Sequence, residues 1–577
     1  MFKNWKSSHL GFTLAIATVL MTSVYPMLVM SLYALKGSQG LTLHNFALAF
    51  SEPKNIQALE NTLFVALLAT FFSLLIGVGM AYLTGRTNLP GRRIIKVLCL
   101  LPVFTPPFIL AIAWQQLLSP VGYLNQAFQW ISHSQSLLLN IYGPTGIILV
   151  MTCSSFSMVY LIVEGALNRM DPSLEEAALM CGAPRQRILL DINLPLLLPQ
   201  ILAAGLLVFI TEISNFGVPA VLGYQVSYYV LTTRIYQVLH QFYRSDNFSA
   251  AASLSILLLA LAVLGLILKD WLQNKGRHEI EPGQARMAPA WHLGRGRFAL
   301  AALLMLFLFF LVLLPLAAIG LTSLLRAYGL EPGLANLCLD NYRRLIDLSL
   351  VRRAFANSLI LALSAATLAV LFGTLHAYLL VRKPGPGTKL LDAAITTPYA
   401  LPGTVVALAM ILAFSRPLPL LGINLYNTLA IILLAYFARY LTFAVRNISA
   451  AWQRVHPSLE EAAQASGAGW YRVLAEILLP LLAPGILSAW VLVFTYSVRE
   501  LTLSILLWSA GNETLAVAIF NLQESGDLTT ACALSMVVIL FSLSAYLLGH
   551  WLQAGKGLFP IRGKLFSQAS PLIEKRG

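Results

Sequence analysis

Charged residues are scarce in this sequence. They make up 11% of its 577 residues, whereas 58% are hydrophobic, and soluble chains carry roughly 25% charged residues. A large core does not explain the deficit, because most residues of a soluble protein lie near its surface. The hydrophobic residues also fall in blocks of about 20, the length at which a helix crosses about 30 Å of hydrocarbon. Backbone groups find no water in lipid, so these blocks must be helical. The sequence therefore predicts an all-α polytopic membrane protein.

Cysteine is also rare, and the signature of a nucleotide-hydrolysing enzyme is missing. The cysteines form no CxxC pair, which argues against a disulfide framework or a zinc site; they are Cys99, Cys153, Cys181, Cys338 and Cys532. No G-x-x-x-x-G-K-[ST] phosphate loop occurs, since the nearest fragment, Gly555-Lys556-Gly557, lacks the hydroxyl and the spacing. No repeated cluster of tyrosine, histidine and carboxylate marks a metal site. We therefore expect no enzyme that hydrolyses nucleotides, and no cofactor or metal in this chain.

The net charge of +14 fits membrane topology better than nucleic-acid binding. Basic residues hold cytoplasmic loops inside, and no basic patch interleaved with aromatics points to a nucleic-acid partner. Lys3 and Lys6 precede an apolar run, 10–35, that is longer than a signal-peptide core, which favours an uncleaved first span. With the N-terminus in the cytoplasm, most of the 38 lysines and arginines lie on that side, as does the C-terminus. The exception is the outer loop 324–355, which carries five arginines.

The apolar blocks give about twelve candidate spans, six in each half of the chain. They cover residues 10–34, 58–83, 94–117, 146–167, 196–222, 249–269, 298–323, 356–381, 390–414, 427–447, 481–508 and 529–552. The predicted domains are a first transmembrane half over 1–269 with its core at 57–269, a cytoplasmic linker over 270–297, and a second transmembrane half over 298–577 with its core at 353–552.

The two halves are internal copies of each other. Residues 41–46 match 337–342, and residues 61–63 match 357–359, both at an offset of 296. Further along the offset falls to 285, which places about eleven extra residues of the first half near 118–142. Random apolar sequence would not keep polar positions in step in this way. Because each half has an even number of spans, the halves run parallel and the natural pathway lies between them.

One polar motif occurs twice, in the predicted coupling loops 169–195 and 448–480. Its first copy contains P-S-L-E-E-A-A and a following glycine, Gly182, and its second copy repeats the pattern. Serine and glutamate stand at capping-box spacing, as in Ser173 and Glu176, and the glycine favours a left-handed helix end. The alanines offer a smooth surface for close approach, and a second short helix would follow. An ordinary connector is only 2–8 residues long, so the motif predicts a docking element.

The motif resembles the cytoplasmic loop of permeases in binding-protein-dependent ATP-binding-cassette importers. Both copies match the pattern E-A-A, three residues, G, nine residues, I-x-L-P. In that family the first short helix sits in a cleft of the ATPase subunit and transmits its closure to the spans. The resemblance covers nearly the whole chain and implies the transmembrane domains of a type I importer. By resemblance, ATPase coupling falls to Glu176, Ala177, Ala178, Gly182, Glu461, Ala462, Ala463 and Gly467.

The same resemblance implies partners and a location. We expect two copies of a separate cytoplasmic ABC ATPase, which uses the ATP, and a periplasmic substrate-binding protein. The lipid environment is the bacterial inner membrane. The fused layout and the segments 215–223 and 499–504 resemble the ferric-iron branch of these permeases, and thiamine and aminoalkylphosphonate permeases are organised similarly. The main alternative from another class is a secondary transporter, which also suits two parallel halves but does not explain two matched docking loops.

Polar residues inside spans mark the candidate path. A charge at the centre of a span costs roughly 2.5–3.5 kcal/mol, so it usually faces a cavity or a partner. Glu164 and Arg499 fit an interfacial or snorkelling role equally well. The residues predicted to line the translocation path are Glu212, Asn215, Arg439 and Glu500.

Overall fold

The computed structural model describes residues 2–37, 40–241, 246–275, 291–417, 422 and 424–553. The middle of the predicted linker, 276–290, and the fragment Gly555-Lys556-Gly557 lie outside the described residues. Nearly all regular structure is helical. A short antiparallel hairpin pairs β1, Lys36–Gly37, with β2, Gly40–Leu41.

Twelve helices occur among the described residues of the first half. They are α1 Gly11–Leu35, α2 His44–Ser51, α3 Pro53–Arg86, α4 Arg92–Phe104, α5 Pro107–Leu118, α6 Tyr123–Ser132, α7 Pro144–Leu167, α8 Ser173–Met180, α9 Arg185–Ile213, α10 Gly217–Gly223, α11 Leu231–Leu239 and α12 Asn247–Leu272.

The second half repeats this order without a counterpart of α6 in its described part. Its helices are α13 Gly296–Ser323, α14 Asp340–Asp347, α15 Ser349–Arg382, α16 Pro386–Ala400, α17 Gly403–Phe414, α18 Leu429–Gln453, α19 Ser458–Ala465, α20 Tyr471–Val498, α21 Ser504–Leu507, α22 Leu515–Glu524 and α23 Leu528–Gln553. Helix α6 lies in the predicted insertion near 118–142.

Two of the predicted spans are bent rather than straight. Ten helices of the described residues are long and apolar enough to cross a membrane, and the count reaches twelve only when each bent pair counts as one span. The pairs α4 and α5, and α16 and α17, each turn by 107°. Pro106 and Pro402 stand at the two turns. Proline lacks the N–H that would continue the helix, so the apolar blocks 94–117 and 390–414 break there.

Two other spans begin and end earlier than predicted. The predicted blocks 196–222 and 481–508 become α9 and α20, which end at Ile213 and Val498. Shortly after each end, a side-chain oxygen accepts a hydrogen bond from a backbone N–H of the turn. Asn215 Oδ1 accepts from Val218 at 3.2 Å, and Glu500 Oε1 accepts from Leu503 at 3.0 Å. Such local bonds compete with continued helix.

The repeated polar residues fasten equivalent elements together. Asn45 donates two hydrogen bonds, of 3.0 and 2.9 Å, to carbonyls at the end of α1. Asn341 donates two, of 2.9 and 2.7 Å, to carbonyls at the end of α13. Thr62 and Ser358 each accept the first N–H of α11 and α22, both at 2.8 Å. The internal match therefore reflects one bonding pattern used twice.

Close helix contacts form the centre of each half. A Cβ at Gly77 would lie 2.6 Å from Val159, and one at Gly373 would lie 2.8 Å from Ala444. These glycines let α3 approach α7, and α15 approach α18, as small residues do between membrane helices. The first span of each half also contacts a helix of the other half. Helix α1 packs against α17 of the second half, and α13 packs against α5 of the first.

Candidate functional site

The two copies of the polar motif form the short helices α8 and α19. The predicted capping boxes are wrong, because the helices begin one residue earlier than that pattern requires, with Ser173 and Ser458 already inside them. Pro172 and Pro457 occupy the capping positions and make no side-chain bond. The N–H of Ser173 donates instead to Asp171 Oδ1 at 2.9 Å, and the N–H of Ser458 donates to the His456 ring at 3.3 Å. The side chain of the residue before the proline thus accepts the hydrogen bond from the first N–H of the helix.

The glycine ends of both helices are confirmed. Gly182 has φ +79° and Gly467 has φ +83°, the left-handed conformation that glycine adopts without strain. The N–H of Ala183 then bonds back to the carbonyl of Ala178 at 3.0 Å. The predicted second short helix is present but not separate, since each copy runs through a π-turn into α9 or α20.

An arginine anchors α8 to the body of the first half. Arg86, at the last turn of α3, donates Nε–H to Glu175 Oε1 at 2.8 Å and Nη2–H to the carbonyl of Leu167 at 2.9 Å. One guanidinium thereby joins the C-terminal ends of α3 and α7 to the first turn of α8. The two side chains are only 6% and 5% exposed. Because water is excluded there, removing either partner would leave an unpaired buried charge.

The second half repeats this anchor with greater exposure. Arg382, at the last turn of α15, pairs with Glu460 at 2.8 Å and donates to the carbonyl of Val455 at 2.9 Å. Its side chain is 14% exposed and that of Glu460 is 20% exposed. Sequence reasoning missed both anchors. The signal was available, because Arg86 and Arg382 share the repeat offset of 296, and both glutamates precede the motif residues predicted to couple.

The residues assigned to coupling lie mostly on the free side of each helix. The first glutamate of each helix, Glu175 or Glu460, is anchored. The second, Glu176 or Glu461, is exposed. Ala177, Ala462, Gly182 and Gly467 are exposed as well, while Ala178 and Ala463 are half-buried. Large apolar side chains add to this surface: Leu174 is 49% exposed, Met180 89% and Leu459 44%. Each helix therefore presents a carboxylate beside small and apolar groups, on a rigid base.

The far end of the linker reaches the first anchor. The N–H of Trp291 donates to the carbonyl of Arg86 at 2.8 Å, and the N–H of Asn88 donates to the carbonyl of Trp291 at 3.1 Å. Asn88 Oδ1 accepts the N–H of Leu293 at 3.0 Å. The chain that leads into the second half is thus bonded directly beside the residue that holds α8. In the second half, Pro384 occupies the position equivalent to Asn88, and proline has no N–H to donate.

The predicted path residues of the first half form one buried network. Glu212 is 2% exposed and accepts hydrogen bonds from Ser155 Oγ and, at 3.2 Å, from Asn215 Nδ2. Asn215 also accepts a bond from Thr232 through its backbone carbonyl at 2.9 Å. In the described residues this network has no basic partner. It links α7, α9 and the turn that follows α9.

The second half places its carboxylate one turn later. Glu500 is half-buried and accepts from the Tyr440 hydroxyl. By the offset of 285, Tyr440 is the equivalent of Ser155, and Glu500 is the equivalent of Asn215. The short serine hydroxyl of the first half therefore binds Glu212, and the longer tyrosine hydroxyl at the equivalent position of the second half binds Glu500, one turn further along. The sequence could not show that Ser155 and Tyr440 take part.

The two interior arginines, Arg439 and Arg499, bind backbone carbonyls and not these carboxylates. Arg439 donates Nη1–H to the carbonyl of Leu401 at 3.0 Å, and Arg499 donates Nη1–H to the carbonyl of Val103 at 2.6 Å. Val103 belongs to the first half, so Arg499 lies at the interface between the halves. Glu164 pairs with Lys96, which supports its interfacial interpretation. Among the predicted path residues, the structure joins Glu212 with Asn215 and keeps Arg439 and Glu500 apart from that pair.

The chain is similar to known transport proteins in both halves. The family described as "Binding-protein-dependent transport system inner membrane component" matches residues 73–278 and again 369–556. The "Ferric transport system permease protein FbpB" of Actinobacillus pleuropneumoniae is 28% identical, with 86% of this chain and 71% of the relative covered. The "Putative ferric transport system permease protein FbpB 1" of Haemophilus influenzae is 30% identical, with 79% and 71% covered.

A third relative matches less than half of the chain. The "Putative 2-aminoethylphosphonate transport system permease protein PhnV" of Salmonella choleraesuis is 32% identical over 44% of this chain and 94% of its own. The family match occurs twice and includes both anchored helices, α8 and α19. The chain therefore belongs to the inner-membrane components of binding-protein-dependent transport systems and is the permease of an ABC importer, with both halves in one polypeptide.

Proposed function

We propose that this permease receives its substrate from a periplasmic binding protein and passes it to the cytoplasm, driven by two copies of a separate ATPase. The ATPase subunits dock on the free sides of α8 and α19, and both termini of the chain are cytoplasmic. The observation that carries this proposal is the pair of anchored helices, each held by an arginine and each exposing a glutamate and apolar groups. A rigid base lets a helix transmit a push to the spans instead of yielding to it.

Co-purification tests the docking. Replacing Glu176 and Glu461 with lysine reverses the charge on both free sides, so the ATPase subunit should no longer purify with the permease. The matched control is Glu476→Lys, an exposed glutamate that pairs with Arg472 at 3.0 Å in the π-turn that leads into α20. If the double variant retains the ATPase as well as the control does, docking does not use these helices. Substrate uptake that continues without ATP would instead favour a secondary transporter.

We propose ferric iron as the cargo, because two relatives named as ferric permeases match more than two thirds of this chain. A phosphonate is the second candidate, since the relative named for 2-aminoethylphosphonate matches 44% of this chain at 32% identity. Uptake of radioactive ferric iron by cells that depend on the complete transporter decides between them. Iron uptake should resist an excess of 2-aminoethylphosphonate. Uptake of labelled phosphonate without uptake of iron would reverse the assignment.

A further inference from the structure

Two arginines of the second half lie where the broken helices end. Arg439 binds the carbonyl of Leu401, between α16 and α17, and Arg499 binds the carbonyl of Val103, at the end of α4. Both broken pairs turn by 107°, so both carbonyls lack a helical partner. A cation suits the carbonyl end of a helix. The two guanidiniums thus mark the two breaks, one in each half.

These arginines keep most of their donors free. A guanidinium has five N–H donors, and within the described residues each of these two makes one hydrogen bond and no ion pair. Glu500, the adjacent carboxylate, is occupied by the Tyr440 hydroxyl and the N–H of Leu503. Both arginines are half-buried. The structure therefore holds two positive charges inside the protein that make no ion pair among the described residues, and ionisable groups inside a membrane protein commonly mark a functional site.

A wall of aromatic rings connects the two guanidiniums. Arg499 lies over the ring of Tyr496, 4.3 Å from its centroid. Tyr496 packs on Phe443 with centroids 4.9 Å apart, and Phe443 packs on Tyr399 at 4.7 Å. Tyr399 stands two residues before Leu401, whose carbonyl Arg439 binds. The ring that covers Arg499 keeps water from one face of its guanidinium and strengthens its attraction for a charged ligand.

The first half has no such cluster. By the offset of 285, the counterparts of Arg439 and Arg499 are Ser154 and Ser214, and those of Phe443 and Tyr496 are Met158 and Thr211. The repeat therefore folds without these charges and rings at the equivalent first-half positions. Their presence in one half only indicates a task that the two halves do not share.

We propose that Arg439 and Arg499 form an oxyanion-binding site between the halves, and that the cargo crosses as an anion or as an anionic complex of its metal. Guanidinium groups match the oxygens of phosphate, phosphonate and carboxylate in paired hydrogen bonds. A bare ferric ion would be repelled by both charges. This inference rests on the proposed transport function and narrows its substrate class: ferric iron would have to travel with an anionic ligand.

Phosphate binding to the full-length chain in lipid nanodiscs tests the site, with inorganic phosphate as the probe. The wild-type protein should bind phosphate saturably, and Arg439→Gln or Arg499→Gln should each weaken binding at least tenfold. Arg446→Gln is the matched control, because Arg446 lies two turns further along the same helix and pairs with Asp392 at 3.1 Å. The control should bind phosphate as the wild type does.

A chemical measurement avoids reliance on variants that fold poorly. Phenylglyoxal modifies accessible arginines, and peptide mapping locates the modified ones. Phosphate should protect Arg439 and Arg499 of the wild-type protein but leave the modification of Arg446 unchanged. Equal phosphate affinity in wild type and both glutamine variants, or modification that phosphate does not slow, would overturn the proposal. Because the ATPase and iron are absent from this experiment, its failure is distinct from failure of docking or of ferric uptake.

Discussion

The buried anchor of α8 should control how often that helix detaches from the permease. Replacing Glu175 with glutamine removes the charge that pairs with Arg86 at 2.8 Å but keeps the shape of the side chain. Breaking a buried ion pair by removing one partner costs about 3–5 kcal/mol. Since each 1.4 kcal/mol is a factor of ten, the lower figure raises the open population of α8 on the order of 100-fold. The more exposed pair of Arg382 and Glu460 should respond less.

Amide hydrogen exchange measures this opening directly, because local opening sets the exchange rate. Peptides covering 173–180 should exchange much faster in Glu175→Gln than in wild type. The control is Asp191→Asn, which breaks an exposed pair with Arg187 at 3.2 Å worth about 0.3–0.5 kcal/mol. If both variants accelerate exchange in α8 equally, Arg86 does not hold the helix and the rigid-base reasoning is wrong.

Three further outcomes follow from the structure. Gly182→Ala should cost about 1–2 kcal/mol from backbone strain alone, since an added Cβ meets nothing within 4 Å, and it should loosen α8 in exchange while Gly165→Ala does not. Asn341→Ala should lower the thermal midpoint, because two carbonyls at the end of α13 lose buried bonds worth about 1 kcal/mol each; Asn336→Ala, with one exposed bond, should not. Burial raises the pKa of Glu513, but the N–H of Gly511 and the nearby Arg353 outweigh it and hold that pKa below its usual range. Its contribution is therefore complete above about pH 4.3 and is lost as the pH falls through the lowered value, so Glu513→Gln should flatten the acid side of the unfolding profile.

The first anchor bears on how the two halves move together. Trp291 is bonded beside Arg86, and α13, which follows it, packs against α5 of the first half. A displacement of α8 therefore reaches the first span of the second half through backbone hydrogen bonds. Beside the second anchor, Pro384 stands in place of Asn88, the residue that bonds to Trp291 and Leu293. We expect α8 and α19 to differ in stiffness for this reason.

The amino-acid sequence by itself determined the class, the repeat and the two short helices of the repeated motif. Blocks of about 20 apolar residues can only be membrane helices, and a shared offset reveals a copy whatever the packing. The glycine ends of α8 and α19 were also predictable, since a left-handed end is a local property of glycine.

Only the tertiary structure decided where the helices break and which charges meet. Hydropathy is the same for a straight span and for one bent by 107° at Pro106, so 94–117 looked continuous. Arg86 lies 89 residues from Glu175, and Arg499 lies 396 residues from Val103. No local pattern specifies such pairs, because they depend on which helices pack together and on which side chains that packing removes from water.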